Sequence, residues 1–196
     1  MTKGRDTKPH IGIYGRRNNG KSSLINCLAG QDVAIVAEEA GTTTDPVKKS
    51  FEITGFGPVI LIDTAGIDDS GELGNKRVDR TVRTLETIDL ALLVVTANTW
   101  GEFEDELLQK FSDSDIPFII VHNKSDLQNP SPSFRQKIRD ITGTDLIEFS
   151  AVDRRNYEEL VNLIKVTIPE HSYKTSSLLG DIINHGDIVI LITPID

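Results

Sequence analysis

Short, continuously apolar runs alternate with amphipathic stretches along most of this chain. Ile11-Gly12-Ile13-Tyr14, Val59-Ile60-Leu61-Ile62, Leu90-Ala91-Leu92-Leu93-Val94-Val95 and Phe118-Ile119-Ile120-Val121 carry no polar face. Strands read this way when a parallel sheet buries both of their faces. Leu146-Ile147-Glu148-Phe149 reads as a further strand, and residues 47–53 and 58–62 are β-prone stretches joined by Thr54-Gly55-Phe56-Gly57, a good hairpin connection. Between these runs the spacing predicts helices after Ser22, over 77–86, over about 102–111 and 131–141. Tyr157, Leu160, Ile164 and Ile168 predict a last helix up to Pro169. Strands alternating with helices predict an α/β fold: a doubly wound, mostly parallel sheet, with the hairpin supplying one antiparallel edge strand. Ligands bind such sheets beyond the carboxyl ends of the strands.

The polar clusters sit at those ends. Gly15-Arg16-Arg17-Asn18-Asn19-Gly20-Lys21-Ser22 fits G-x-x-x-x-G-K-[ST] and lies between the first strand and the first helix. A glycine-rich turn there points backbone N–H groups and the positive end of a helix at one spot. Asn18, Asn19, Gly20, Lys21, Ser22 and Ser23 are therefore the expected phosphate contacts, with the Lys21 charge on β- and γ-phosphate oxygens and the Ser22 hydroxyl on Mg²⁺. Asp63-Thr64-Ala65-Gly66 ends the 58–62 strand. Asp63 is placed to hold a metal-bound water, and the Gly66 N–H can approach a γ-phosphate because no Cβ blocks it.

Asn123-Lys124-Ser125-Asp126 follows the strand 118–121 directly and decides the base. A carboxylate at Asp126 accepts two hydrogen bonds from guanine, and adenine lacks that donor pair and would leave the carboxylate unpaired. Asn123 would brace the loops, and the Lys124 stem would cover the base face. The competing reading of the tetrad is a helix N-cap by Ser125 or Asp126. Ser150-Ala151 would close the pocket with a backbone N–H, although that dipeptide alone reads equally well as an ordinary loop.

Composition narrows the function classes. The chain has 196 residues, enough for one substantial α/β domain, with 38% hydrophobic and 26% charged residues. No apolar run approaches the ~20 residues of a membrane span, and Met1 to Asp6 leads into no signal region, so a cytoplasmic protein without a membrane partner is expected. One cysteine rules out an internal disulfide or a Cys₄ cluster from this chain alone. The net charge of −9, with Lys and Arg scattered, argues against nucleic acid as a partner.

The motifs, in this order, identify the chain as resembling the translation-factor-related GTPases, in the branch of the tRNA-modification GTPase MnmE and the ribosome-assembly GTPase Era. The resemblance rests on Asn18, on Ala34-Ile35-Val36 before Ala40-Gly41-Thr42-Thr43-Thr44-Asp45, and on Asp63 to Gly66, and it covers roughly residues 10–168. More narrowly, Gly15 to Ser23, Gly41 to Val47, Asp63 to Asp69 and the tail from Gly180 to Val189 look like the versions found in HydF, the GTPase that helps mature FeFe hydrogenase.

That resemblance implies binding of GTP and GDP with Mg²⁺ and slow hydrolysis. It implies Thr43 as the switch threonine on Mg²⁺, within a 30–46 loop ordered only by a γ-phosphate, and Asn18 as a K⁺ ligand with carbonyls around Ala37 to Thr42. It makes Lys21, Thr43 and Gly66 the catalytic set and Glu72 a candidate helper, although Glu72 reads equally as a solvated loop acid. Ile67 stands where Ras-like GTPases carry a water-orienting Gln, so unaided turnover should be slow. A switch with negligible turnover and an RNA-linked GTPase are the rival readings. The resemblance further implies a GTP-binding domain over 1–168, then a linker and the first strand of a truncated dimerisation domain over 169–196. Hydrogenase-maturation proteins would be partners and the full-length protein a homodimer, and the family's iron–sulfur cluster would lie outside this fragment. Cys27 and His122 are expected to be structural. His171 and His185 lack metal-ligand neighbours, and Trp100 reads equally as a partner contact or a packed side chain.

Overall fold

The computed structural model describes residues 8–30, 47–64 and 84–173. One sheet runs in the order β2-β3-β1-β4-β5-β6. Its strands are β1 (His10–Tyr14), β2 (Val47–Ile53), β3 (Gly57–Asp63), β4 (Leu90–Val95), β5 (Phe118–His122) and β6 (Ile147–Glu148). The helices are α1 (Lys21–Ala29), α2 (Glu102–Asp113), α3 (Pro132–Thr142) and α4 (Tyr157–Thr167), followed by a 3₁₀ turn at Glu170–Ser172. Every neighbouring pair is parallel except β2–β3, which pairs antiparallel from Val47 against Asp63 to Ile53 against Gly57.

Alternation along the strands builds two cores. Ile11, Ile13, Leu90, Leu92 and Val94 face one side with Leu24, Leu28, Leu160 and Ile164 of α1 and α4. Tyr14, Ala91, Leu93 and Val95 face the other with Leu107, Phe111, Phe134 and Ile138 of α2 and α3. All six residues of β4 are buried. Each buried Leu or Val contributes about 1.5–3 kcal/mol, against about 1 kcal/mol net for a ladder hydrogen bond, so side-chain burial fixes β4 near the centre.

The expected boundaries shift where a side chain or loop captures the backbone. The run Leu146 to Phe149 yields only Ile147–Glu148 as strand. Asp145 Oδ1 accepts the Leu146 N–H at 2.9 Å, which takes the start of the run out of the ladder, while the Phe149 N–H still donates to the His122 carbonyl at 2.8 Å and its carbonyl accepts the Ser125 N–H at 3.0 Å. Helix α3 starts at Pro132 because Ser131 is its N-cap, its Oγ accepting the Phe134 N–H at 3.1 Å. The expected helix over 77–86 lies largely outside the described residues, as do the loop 31–46 and residues 174–196, where the first strand of the further domain is expected. Beyond α4 the chain folds back: Ser172 Oγ donates to Asp89 Oδ1 at 2.8 Å, and the Tyr173 ring lies 4.7 Å from that of Phe56. Among the described residues no helix is long and apolar enough to cross a membrane.

Candidate nucleotide-binding site

The loop between β1 and α1 is shaped by close approach. A Cβ on Gly15, at φ 140°, would lie 2.3 Å from the Val94 carbonyl oxygen, and one on Gly20, at φ 83°, would lie 2.4 Å from Asn123 Nδ2. Both positions therefore demand glycine for space as well as for φ. Gly20 is also the N-cap of α1 and offers no capping side chain, which leaves the first-turn N–H groups of a nine-residue helix open to an anion. Lys21 is buried, with Nζ donating to the carbonyls of Gly15 at 2.5 Å and Arg16 at 2.9 Å, so its charge sits inside the loop. Asn18 is exposed in the left-handed region at φ 65°.

Two anchors of this loop were not legible from the motif. Asn19 is buried, its Nδ2 donating to the Val94 carbonyl at 2.8 Å and its Oδ1 accepting the Thr96 hydroxyl at 3.0 Å. The Arg16 guanidinium forks onto Glu104 with both bonds at 2.7 Å, and the Gly101 N–H donates to the same carboxylate at 2.9 Å. Glu104 is fully buried at the start of α2. An acid at the third position of a predicted helix was the available local signal, but nothing local points to Arg16.

Ser22 Oγ donates to Asp63 Oδ2 at 3.0 Å, which brings a hydroxyl and a carboxylate oxygen together at the mouth of the loop. Both are hard oxygen donors of the type Mg²⁺ accepts, so the pair fits that ion. Thr64 is buried and its hydroxyl donates to the Ile13 carbonyl, tying the end of β3 to β1. Thr43, Gly66, Ile67 and Glu72 lie outside the described residues.

The loop after β5 leans on the phosphate loop. Asn123 Nδ2 donates to the Asn19 carbonyl at 2.9 Å and more weakly to that of Gly20 at 3.4 Å. Among the described residues Asn123 Oδ1 is buried and has no hydrogen-bond partner. Lys124, at φ 57°, donates from Nζ to the Asn18 carbonyl at 2.7 Å. The Asp126 side chain is exposed. Ser150 is buried and its Oγ accepts the N–H groups of Val152 at 3.2 Å and Asp153 at 3.4 Å, which sets the turn carrying Ala151. The N-cap reading of the tetrad fails, because Ser131 caps α3.

Of the remaining candidates, Cys27 and His122 are buried, His171 is exposed, and His185 lies outside the described residues. Trp100 packs down, with Nε1 donating to Asp105 Oδ1 at 2.8 Å. Among the described residues no cluster of three His, Cys, Asp or Glu could hold a metal.

A phosphate loop between β1 and α1, a metal-suited pair at the ends of α1 and β3, and a base loop braced against the phosphate loop define a P-loop GTPase domain. The family model described as 50S ribosome-binding GTPase matches residues 10–124, and this chain belongs to that family. Among its relatives, the tRNA modification GTPase MnmE of Chromobacterium violaceum is 35% identical over 158 residues, covering 76% of this chain and 35% of the relative. The crystal structure of a point variant of Aquifex aeolicus Era bound to GDP·AlF₄⁻ matches with a TM-score of 0.66 and 31% identity, covering 82% of this chain and 57% of that one. Era in complex with MgGDPNP and nucleotides 1506–1542 of 16S ribosomal RNA matches with a TM-score of 0.67 and 29% identity, covering 89% and 60%. The chain spans about a third of the length of the curated relatives it matches. Domains of this class are GTP hydrolases.

Proposed function

We propose that this chain binds GTP with Mg²⁺ at the described site and hydrolyses it slowly to GDP and phosphate, with K⁺ as activator. The observation that carries the reading is the Asn123 bridge, one amide that fixes the base loop on the phosphate loop and keeps its second polar atom for the purine. In this reading the backbone of Asn18 to Ser23 holds the α- and β-phosphates. Lys21 shifts its Nζ from the Gly15 and Arg16 carbonyls onto β- and γ-oxygens, a trade of neutral acceptors for charged ones. Ser22 and Thr43 would hold Mg²⁺ with Asp63 beside it, and the Gly66 N–H would donate to the γ-phosphate. Asp126 accepts from N1–H and the exocyclic amine of guanine, with Lys124 along the base and Ala151 closing the pocket. Bound Mg²⁺ supplies neutralisation of charge on the β- and γ-phosphate oxygens.

Asn18 offers an exposed amide oxygen, a ligand type suited to a hard monovalent cation, beside a loop whose own carbonyl is already taken by Lys124. Glu72 remains the candidate helper. Phosphate release under saturating GTP, compared in KCl and NaCl, tests the hydrolytic reading: turnover is expected in both, at least about tenfold faster in KCl. Equal and near-zero rates in both salts would favour a nucleotide switch without useful turnover.

The resemblance of Gly15 to Ser23, Gly41 to Val47 and the tail to HydF supports a role in hydrogenase maturation, with residues 1–168 as the GTP-binding domain and 169–196 leading into a dimerisation domain. The MnmE and Era relatives favour the RNA-linked alternative, and the net charge of −9 weighs against it for this stretch of chain.

A further inference from the structure

Behind the base loop lies a closed circuit of hydrogen bonds whose members, apart from Ser125, lie outside the motifs. The Asn98 N–H donates to His122 Nε2 at 3.4 Å, and His122 Nδ1 lies 3.0 Å from Ser125 Oγ. The Ser125 carbonyl accepts Arg155 Nη1 at 2.9 Å, the same nitrogen donates to Asn129 Oδ1 at 2.8 Å, and Asn98 Nδ2 returns to the Asn129 carbonyl at 3.4 Å. The circuit joins the loops that follow β4, β5 and β6. It also restrains unusual backbone, since Ala97 at φ 52°, Asn98 at 54° and Lys124 at 57° are all left-handed residues that are not glycine.

The direction of each bond follows from proton counting. Ser125 has one hydroxyl proton, and it is committed to the His122 carbonyl at 2.8 Å. His122 Nδ1 must then carry the ring proton and donate to Ser125 Oγ, while Nε2 accepts from Asn98. The ring is fully buried with its edge on Phe134, so only the neutral Nδ1–H tautomer satisfies both neighbours. An imidazolium would set two N–H groups against each other at Asn98. The charged groups facing the ring are Glu148 on β6 and Arg135 on α3, which oppose one another, and burial pushes the imidazole below its ordinary value.

We propose that His122 and Arg155 are positioning residues for guanine recognition, holding Ser125 and with it the flanking Lys124 and Asp126 in the base-reading conformation, and that His122 does so only when neutral. The inference rests on guanine being read by Asn123 and Asp126. Acid therefore weakens nucleotide binding: protonated His122 loses the Asn98 bond, and the bound loop resists the proton more than the free one. Affinity is full above the ordinary imidazole value of about 6.5 and falls as pH drops through the lower value of the folded protein.

The test is the affinity of the full chain for fluorescent ribose-labelled GDP from pH 8 to pH 5.5, for wild type, His122→Phe and Arg155→Ala. Phenylalanine keeps an aromatic ring beside Phe134 and removes both ring nitrogens. Both variants are expected to bind about tenfold more weakly at pH 8, with GTP KM raised by a similar factor and kcat nearly unchanged. The nucleotide's own phosphates titrate in every sample, so the readout is the difference between profiles: wild type loses affinity in acid that His122→Phe does not lose. Wild-type affinity and an identical pH profile in both variants would overturn the proposal. If His122→Phe does not fold, Arg155→Ala decides together with long-range ¹H–¹⁵N NMR of wild-type His122, where an Nε2–H tautomer contradicts the circuit. Wild type that fails to prefer GDP over ADP at pH 8 would instead overturn the guanine assignment itself.

Discussion

Glu104 is the most deeply buried of the described charged residues around the site. A carboxylate removed from water is costly by several kcal/mol unless it is paired and hydrogen-bonded, and here the Arg16 fork and the Gly101 N–H supply that compensation. Arg16 remains 41% exposed, so the pair is not symmetric: the arginine can return to water, and the glutamate cannot. Arg16→Ala is expected to lower stability by about 2–3 kcal/mol in chemical denaturation, because Glu104 stays buried without its charge partner. Arg16→Lys should recover only part of that loss, since a point charge cannot make both fork bonds. A loss under about 0.5 kcal/mol for Arg16→Ala would show that Glu104 finds another partner or reaches water. At this scale the sequence was legible only in part. Lys21, Ser22, Asp63, Asn123 and Asp126 announce themselves because phosphate, metal and guanine each require a side-chain type at a fixed offset from a strand end. Arg16 and Glu104 are 88 residues apart, and no local spacing connects them. Asn19 occupies a variable place in the motif, and its two buried bonds depend on where β4 ends.

The helices divide by how they begin. α1 starts on a left-handed Gly20 with no side-chain cap, which keeps its terminal N–H groups for phosphate. α3 starts on Ser131, whose hydroxyl satisfies one such group, and ends on a left-handed Gly143 at φ 71° whose N–H caps the Arg139 carbonyl at 2.8 Å. Ser131→Ala is therefore expected to cost about 1 kcal/mol, measured as a lowered denaturation midpoint, and an unchanged midpoint would mean the cap contributes nothing. Strands were the most legible elements, since burial on both faces leaves a continuous apolar run. Their ends were not, because β6 begins only after the Asp145 side chain has taken the Leu146 N–H, a capture that does not follow from hydrophobic pattern.

The whole molecule is a sheet whose order brings loops from distant parts of the chain to one end. β1 lies between β3 and β4, with β5 and β6 beyond, so the phosphate loop has the Asp63 strand on one side and the base loop toward the other. Alternating strands and helices predicted the doubly wound sheet but not this order, and the parallel direction of its strands explains why each motif stands at a carboxyl end. The long loop 31–46 and the stretch 65–75, where Thr43, Gly66 and Glu72 fall, lack a clear period in sequence and lie outside the described residues. The proposed guanine site stands or falls on Asp126 as the residue that reads the base. Its decisive assay is the nucleotide preference of Asp126→Asn against wild type, by competition of GDP and XDP for the labelled nucleotide. An amide in place of the carboxylate can donate to the carbonyl that xanthine carries where guanine has its amine. GDP affinity is expected to fall by at least about a hundredfold, with preference switching to XDP. Retained GDP preference in Asp126→Asn would mean that another group reads the base.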